Sequence, residues 1–350
     1  MLRGGRLNCL PSDDRELFEI LYNRCRAQNA TDPRRAFQDN LAAIRHMRHL
    51  DVTTVPHACG IYSAAGAFFA FSGLSFSISE RFLAIARKLA DGGSEVDRFQ
   101  YRAMSFLKTY LSGAWSDEDP MTPELLERGI RTGLLWDADT YLGMRAEFEI
   151  KQGRFEAAEA TIAMTERLQE TFGYTFSEAN VLANRAYLLT ERGALTEAWP
   201  AIHRYYESRE EDTLRLIALS TRAKVEARMG QLDDATETLR AAAKLVAKAG
   251  RIAPYYESAY VSAALLTAVM RYEAAVKSRA SGTRQARKEC ASLIRKAEKV
   301  TRRIARDRVQ VYGLAGRFAL ATGIRRGPSG GGPRRSRRPM HWGRSRIGCN

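Results

Sequence analysis

Histidine and cysteine are the side chains of this sequence whose chemistry would be most specific, and both are scarce. His46 and His49 stand three residues apart in RHMRHL, a spacing that lets two imidazoles on one helix face share a metal ion. No acidic residue stands between them, so the pair indicates an ordinary helix surface, and we expect no metal and no cofactor. The five cysteines form no C-x-x-C pair, so the sequence predicts neither a zinc site nor a disulfide framework.

Signatures of catalysis are missing as well. The sequence contains no G-x-x-x-x-G-K-[ST] phosphate loop, no G-x-G-x-x-G, no G-x-S-x-G and no H-E-x-x-H. An acidic run at 117–119 precedes Thr122, Pro123 and Glu124, which are typical of a capped helix start rather than of acid–base chemistry. We therefore expect a protein that is not an enzyme and has no catalytic residues.

A glycine recurs at a fixed interval instead. Gly73, Gly113, Gly153 and Gly193 are spaced forty residues apart, and Gly230 follows after a further 37. Met270 falls forty residues after Gly230, in MRYEAA, where the rest of the local pattern survives. A period of 20–50 residues is typical of a repeat array, so we expect turns near 73, 113, 153, 193, 230 and 270.

Each repeat unit has the pattern of two amphipathic helices. Apolar residues recur at spacings of three to four on both sides of each glycine, and a left-handed glycine can end the first helix. Seven residues before three of these glycines stand Ala146, Ala186 and Ala223, small enough for close contact between helices. No stretch alternates with period two, so the sequence predicts an all-α fold in which helical hairpins stack on one another.

This pattern resembles the tetratricopeptide repeat, most closely at 139–172, 179–206 and 216–247 and more weakly at 56–89 and 96–130. The resemblance implies a right-handed superhelical array of antiparallel helix pairs, an α-solenoid. The period of 40 rather than 34 leaves HEAT-like or other α-solenoid repeats open. We expect an N-terminal helical cap or first hairpin at 1–55 and the repeat array at 56–276. A basic amphipathic helix with a terminal half-hairpin should follow at 277–322, and a disordered basic tail at 323–350.

The segment FFAFSGLSFSISERFLAIARKL (68–89) and the long period also resemble the helical region of large bacterial signalling proteins. In those proteins an ATPase module, in some cases with a kinase or adenylate cyclase domain, precedes the repeats. The resemblance implies either a standalone relative or one segment of such an enzyme, with the catalytic part outside this chain.

An array of this kind binds partners along its concave wall, which the first helix of each pair lines in tetratricopeptide repeats. Carried over by register, positions thirteen, six and three residues before each glycine face inward. The candidate groove residues chosen from these positions are Tyr110, Glu147, Asn180, Tyr187 and Lys224. We therefore expect a non-catalytic scaffold or regulatory module that binds protein partners in its groove.

The formal net charge of +15 arises almost entirely from the C-terminal part of the chain. Residues 277–308 hold twelve Lys and Arg against three Asp and Glu, and residues 323–350 hold eight Arg and no acidic residue. The helix at 285–306 is expected to pack one side on the array and to leave its cations solvated. Binding of nucleic acid or of an acidic partner through this basic region is the alternative.

The composition changes abruptly at Gly323, directly after the helical pattern RFALAT. This change is typical of a truncated or frameshifted reading frame, or of an arginine–glycine tail that binds RNA. The sequence has no apolar run long enough for a membrane span and no signal peptide at its start, so we expect a cytoplasmic protein without membrane contact.

Overall fold

The computed structural model describes residues 12–28, 32–115, 121–207, 211–250 and 252–323. In these ranges it contains fifteen α-helices, one short 3-10 helix and no β-strand. The helices are α1 (Ser12–Gln28), α2 (Pro33–His46), the 3-10 helix (Met47–His49), α3 (Ala58–Phe71), α4 (Phe76–Gly92), α5 (Glu95–Ser112), α6 (Pro123–Arg131), α7 (Leu135–Lys151), α8 (Phe155–Phe172), α9 (Thr175–Arg192), α10 (Leu195–Glu207), α11 (Asp212–Arg228), α12 (Leu232–Ala249), α13 (Pro254–Lys277), α14 (Thr283–Arg303) and α15 (Arg308–Ala321).

Five of the six predicted turns are confirmed. Each of the five recurring glycines follows the first helix of a pair, and each adopts a left-handed backbone, with φ between 59° and 82°. Residues other than glycine rarely adopt this backbone conformation. The repeated glycine therefore reflects a repeated way of ending a helix. Hairpins α3/α4, α5/α6, α7/α8, α9/α10 and α11/α12 result.

The turn predicted near Met270 is wrong. Helix α13 continues through this position to Lys277, and the chain turns only afterwards, where Arg279 has a φ of 52°. No glycine stands at 270 to take a positive φ, so nothing ends the helix there. Tyr272, two residues later, is buried in the interior of α13.

The first helix of each pair packs on the first helix of the next pair. We call α3, α5, α7, α9, α11 and α13 the inner helices; each contacts its successor in this order. Ala146, Ala186 and Ala223 lie on three of them, and each is at most 1% exposed. A methyl group is therefore the largest side chain that these contacts accept without rearrangement.

The helices at the two ends of the described chain pack on the neighbouring hairpins. Helices α1 and α2 form a hairpin against α3, and the basic helix α14 is the second helix of a sixth pair, packed on α13. Helix α15 packs on α13 and α14 and exposes Val309, Tyr312 and Leu320. The predicted disordered tail lies outside the described residues, apart from Gly323. Within the described ranges, no helix is long and apolar enough to cross a membrane.

Candidate ligand-binding site

The turn between α14 and α15 lies on the inner helices. We call residues 304–307 the C-terminal turn. The Ala305 N–H donates to the Leu111 carbonyl at 2.7 Å, and Arg303 Nη2 donates to the Ser72 carbonyl at 3.3 Å. A β-carbon on Gly113 would lie 2.7 Å from that of Ala305, so this glycine serves the docking of the turn as well as the end of α5.

Glu147 on α7 is the centre of a buried polar network that the C-terminal turn completes. Arg306 contacts this carboxylate in a bidentate manner, with Nη2–Oε1 at 2.7 Å and Nε–Oε2 at 3.0 Å. The hydroxyls of Tyr110 and Tyr255 donate to Oε2 at 2.6 Å and Oε1 at 2.7 Å. Four donors from α5, α13 and the turn therefore satisfy one carboxylate, as a buried charge requires.

Charge and burial act in opposite directions on this carboxylate. Burial raises the pKa of Glu147, but the charge of Arg306 and its hydrogen bonds outweigh that effect and hold the pKa below its ordinary value. Burial, reinforced by the charge of Glu147, raises the pKa of Tyr110 and of Tyr255 well above the usual range. Both hydroxyls therefore stay protonated and donate at neutral pH.

Asp307 is the second buried carboxylate of the C-terminal turn. The Ser258 hydroxyl donates to its Oδ2 at 2.7 Å, and Lys151 Nζ lies 3.3 Å from its Oδ1. Lys224 Nζ stands farther away, 3.9 Å from the same oxygen. Lys151 also donates to the hydroxyl of Tyr187 at 2.9 Å. The turn thus joins α13 to the ends of α7 and α11.

The two lysines beside Asp307 titrate differently because their partners differ. The pKa of Lys151 is raised: burial lowers it, but the adjacent charge of Asp307 outweighs that effect. Burial lowers the pKa of Lys224 to about 8, against the attraction of the more distant Asp307 and with repulsion from Lys151. Lys224 also donates to Oε1 of Gln310 at 3.1 Å. Lys224 is the cation of this network that is least stabilised in its charged form.

The structure therefore revises the expected open groove. Tyr110, Glu147, Tyr187 and Lys224 come together, as their shared register required, but the chain's own C-terminal turn covers them. The C-terminal turn covers Tyr110, Tyr187 and Lys224, and none of these three lines the cavity described below. Glu147 binds Arg306 and also lines that cavity, as Asn180 does.

A cavity of about 620 Å³ occupies that open part. Its walls come from the inner helices, together with α1 and α2 on one side. Aromatic side chains supply much of its lining, among them Phe37, Phe68, Phe71, Trp136, Phe176 and Tyr256. Its size and its mainly apolar lining fall within the range of pockets that bind ligands.

Two asparagines of α9, Asn180 and Asn184, contribute polar side chains to the lining of the cavity. Asn180 Nδ2 donates to Oδ2 of Asp139 at 2.6 Å, and Asn184 Nδ2 donates to the Gly143 carbonyl at 3.1 Å. A carboxylate and a carbonyl only accept hydrogen bonds, so these contacts fix which side of each amide is the NH₂ group. Each amide is therefore anchored through its donor. Both residues line the cavity, and no described residue donates a hydrogen bond to either Oδ1.

Asn40 of α2 also lines the cavity and is likewise bonded through its Nδ2 group. Its Nδ2 donates to the Ile61 carbonyl at 3.0 Å, and the residue is only 2% exposed. Its Oδ1 is buried and receives no hydrogen bond from any described residue. A buried acceptor without a donor is costly, but this oxygen has almost no accessible surface and is not part of the surface that the cavity offers to a ligand.

Contacts from α1 close this side of the cavity. Arg26 Nη1 binds Oδ2 of Asp137 on α7 at 2.7 Å, and Gln100 Nε2 donates to the Tyr22 hydroxyl at 2.6 Å. Burial raises the pKa of Asp137, against the effect of the Arg26 charge. The first hairpin thus forms a wall of the cavity, a role that the predicted N-terminal cap did not include.

The sequence could have identified some of these residues as part of the site but not others. Asn184 stands four residues after Asn180 and so shares its helix face, a spacing that could have identified it. Arg306 was expected within the basic helix at 285–306, with its charge solvated, and this expectation is wrong. The helix ends at Arg303, and the turn that follows buries Arg306 and Asp307 at the ends of the inner helices. Asn40 lies in a segment without the repeat pattern.

No family model, no curated protein and no solved structure matches this chain. The likeness to tetratricopeptide arrays thus remains a resemblance of pattern.

Proposed function

We propose that this chain is a non-catalytic binding module that holds an extended segment of a protein partner in its cavity. The main support is the cavity of about 620 Å³, which is lined by two asparagines whose Nδ2 groups are already bonded and whose Oδ1 atoms receive no hydrogen bond from a described residue. A partner's backbone N–H groups would meet these acceptors, and its apolar side chains would pack on the aromatic lining.

The spacing of the acceptors supports an extended peptide as the ligand. Residues four apart on a helix differ by roughly 6 Å along its axis, which is the separation of Asn180 and Asn184. Every second N–H of an extended chain points to the same side, at a repeat of roughly 6.6 Å. Two successive same-side N–H groups can therefore meet the two asparagines with little adjustment, whereas a helical ligand satisfies its own N–H groups.

The order of the inner helices supports the finer architecture that belongs to this proposal. Helices that pack on their neighbours in succession are what a right-handed superhelical array of the tetratricopeptide type requires. Contacts across the array also bring its ends together: Phe71 of α3 packs against Tyr255 and Tyr256 of α13, with ring centroids 5.2 and 5.7 Å apart. In this arrangement the cavity is the interior of the superhelix.

A displayed library of random peptides tests the proposal. The full chain should enrich peptides with apolar side chains, and Ala183→Trp, which places a large ring in the cavity wall, should abolish their binding. Ala160→Trp is the matched control, because Ala160 is exposed on α8 and away from the cavity. Asn184→Leu should weaken binding while leaving the cavity apolar.

Two results would contradict this function. Enriched peptides that bind Ala183→Trp and Ala160→Trp equally well would place the binding surface outside the cavity. A selection that enriches no peptide on the wild-type chain above its level on Ala183→Trp would show that the cavity does not take an extended segment.

A further inference from the structure

Helix α14 exposes a row of cations opposite its buried side. Cys290, Ile294 and Ala297 face the core, and the solvent side carries most of the charge. We call the following exposed residues the α14 basic face: Arg284, Arg287, Lys288, Arg295, Lys299 and Arg302. From Arg284 to Arg302 the helix rises roughly 27 Å at about 1.5 Å per residue.

Unpaired exposed cations such as Arg81, Lys88 and Arg167 also occur elsewhere, but the α14 basic face places six of them along a single helix. Exposed cations elsewhere commonly have acidic partners, as in Arg131–Glu127, Arg240–Glu237 and Lys248–Asp212. No residue of the α14 basic face forms an ion pair with any described residue. The only acidic residues of α14 itself are Glu289 and Glu298.

This arrangement works against the stability of the helix that carries it. Arg284–Lys288 and Arg295–Lys299 are like charges at a spacing of four, and each such pair destabilises a helix. Arg284 also stands in the first turn, where no acidic residue is present and the helix dipole disfavours cations. A solvated helix face would be more stable with mixed charges, so the pattern favours an external anion that neutralises several cations at once.

We infer that the α14 basic face binds the phosphate backbone of duplex nucleic acid without sequence preference. A straight row of cations roughly 27 Å long matches a line of regularly spaced phosphates. The face carries no aromatic side chain on which unpaired bases could stack, which disfavours single strands. Its apolar residues are buried against α13, so it has no group to insert into a lipid interface.

Titration of a short fluorescein-labelled DNA duplex with the full chain, at a series of salt concentrations, tests this inference. One variant replaces four cations of the face by glutamine: Arg284→Gln, Lys288→Gln, Arg295→Gln and Lys299→Gln. The matched control removes the same charge from exposed cations on α4, α8 and α12: Arg81→Gln, Lys88→Gln, Arg167→Gln and Lys244→Gln.

The α14 variant should bind at least about tenfold more weakly, and its slope of log affinity against log salt should be shallower by about 3.6, at roughly 0.9 per lost contact. The control should keep the slope of the wild type. The basic residues at 323–350 are present in all three proteins, so they cannot produce a difference between the variants. If the fourfold variant does not fold, Arg295→Gln/Lys299→Gln carries the same test, with a change in slope of about 1.8.

Equal slopes for the α14 variant and the control would overturn the inference. So would binding to phosphatidylserine vesicles that is lost in the α14 variant while its DNA binding stays unchanged, since the face would then serve a membrane. Neither result would bear on the cavity, whose ligand is tested with Ala183→Trp.

Discussion

Replacing Arg306 by methionine should remove more stability than any substitution of a surface cation. Both partners of its ion pair with Glu147 are buried, with side chains 7% and 10% exposed, and the contact is bidentate. Methionine keeps much of the volume of the side chain and removes the charge. The carboxylate of Glu147 is then left without a cation in direct contact.

The expected loss of stability depends on the hydrogen bonds that Glu147 retains in the variant. Removing one partner of a buried pair costs about 3–5 kcal/mol. The hydroxyls of Tyr110 and Tyr255 still donate to the carboxylate, which places the cost near the lower limit. Asp307 loses its contact with Arg306 at 3.4 Å but retains Lys151. We therefore expect Arg306→Met to lower the free energy of unfolding by about 3 kcal/mol.

Urea titration followed by far-ultraviolet circular dichroism measures this change. Arg317→Met is the control: its pair with Glu273 has side chains 48% and 33% exposed, and an exposed pair contributes about 0–1 kcal/mol. The double variant Arg306→Met/Glu147→Met should cost less than the sum of the two single variants, because no unpaired charge remains buried. The reasoning is refuted if Arg306→Met costs no more than Arg317→Met, since the C-terminal turn would then not be docked on the inner helices.

Three further outcomes are expected, for Lys224, for Ala186 and for nucleotide hydrolysis. Because the pKa of folded Lys224, about 8, lies below the ordinary value of 10.5, the unfolded chain binds the extra proton between these values. The wild type should therefore gain about 2 kcal/mol of stability relative to Lys224→Met from pH 8 to 10, with no gain below pH 7; parallel stability curves for the two proteins would contradict this. Ala186→Leu should cost about 1–3 kcal/mol by overpacking, whereas Ala160→Leu at an exposed position should change the melting temperature little. The purified chain should not hydrolyse ATP or GTP, and phosphate release that follows the protein through size-exclusion chromatography would refute this.

The helices and their turns could be predicted because the signals that specify them are local. A glycine that ends a helix and an alanine at a close helix contact act within one repeat. The roles of Gly153 and Ala146 could therefore be predicted from the local sequence. Met270 shows the limit of this reasoning. Its neighbours preserved the pattern, but without a glycine at that position the helix continued to Lys277.

The candidate site was predictable only in part, because its contacts join distant parts of the chain. Register placed Tyr110, Glu147, Tyr187 and Lys224 on one wall, and the structure brings these four together. The repeat register could not predict that the C-terminal turn packs on this wall, because Arg306 lies 159 residues from Glu147 in the sequence. A repeat pattern describes how neighbouring units pack and contains no information on a segment that returns across several units.

Photo-cross-linking of a library-selected peptide is the most direct test of whether the cavity is the binding site. A photoreactive phenylalanine analogue is placed either at Trp136, which lines the cavity, or at Trp199, which lies outside it and is 39% exposed. We expect a cross-link from position 136 and none from position 199, and we expect Ala183→Trp to abolish the cross-link. A cross-link from position 199 alone, or one from position 136 that persists in Ala183→Trp, would contradict this expectation.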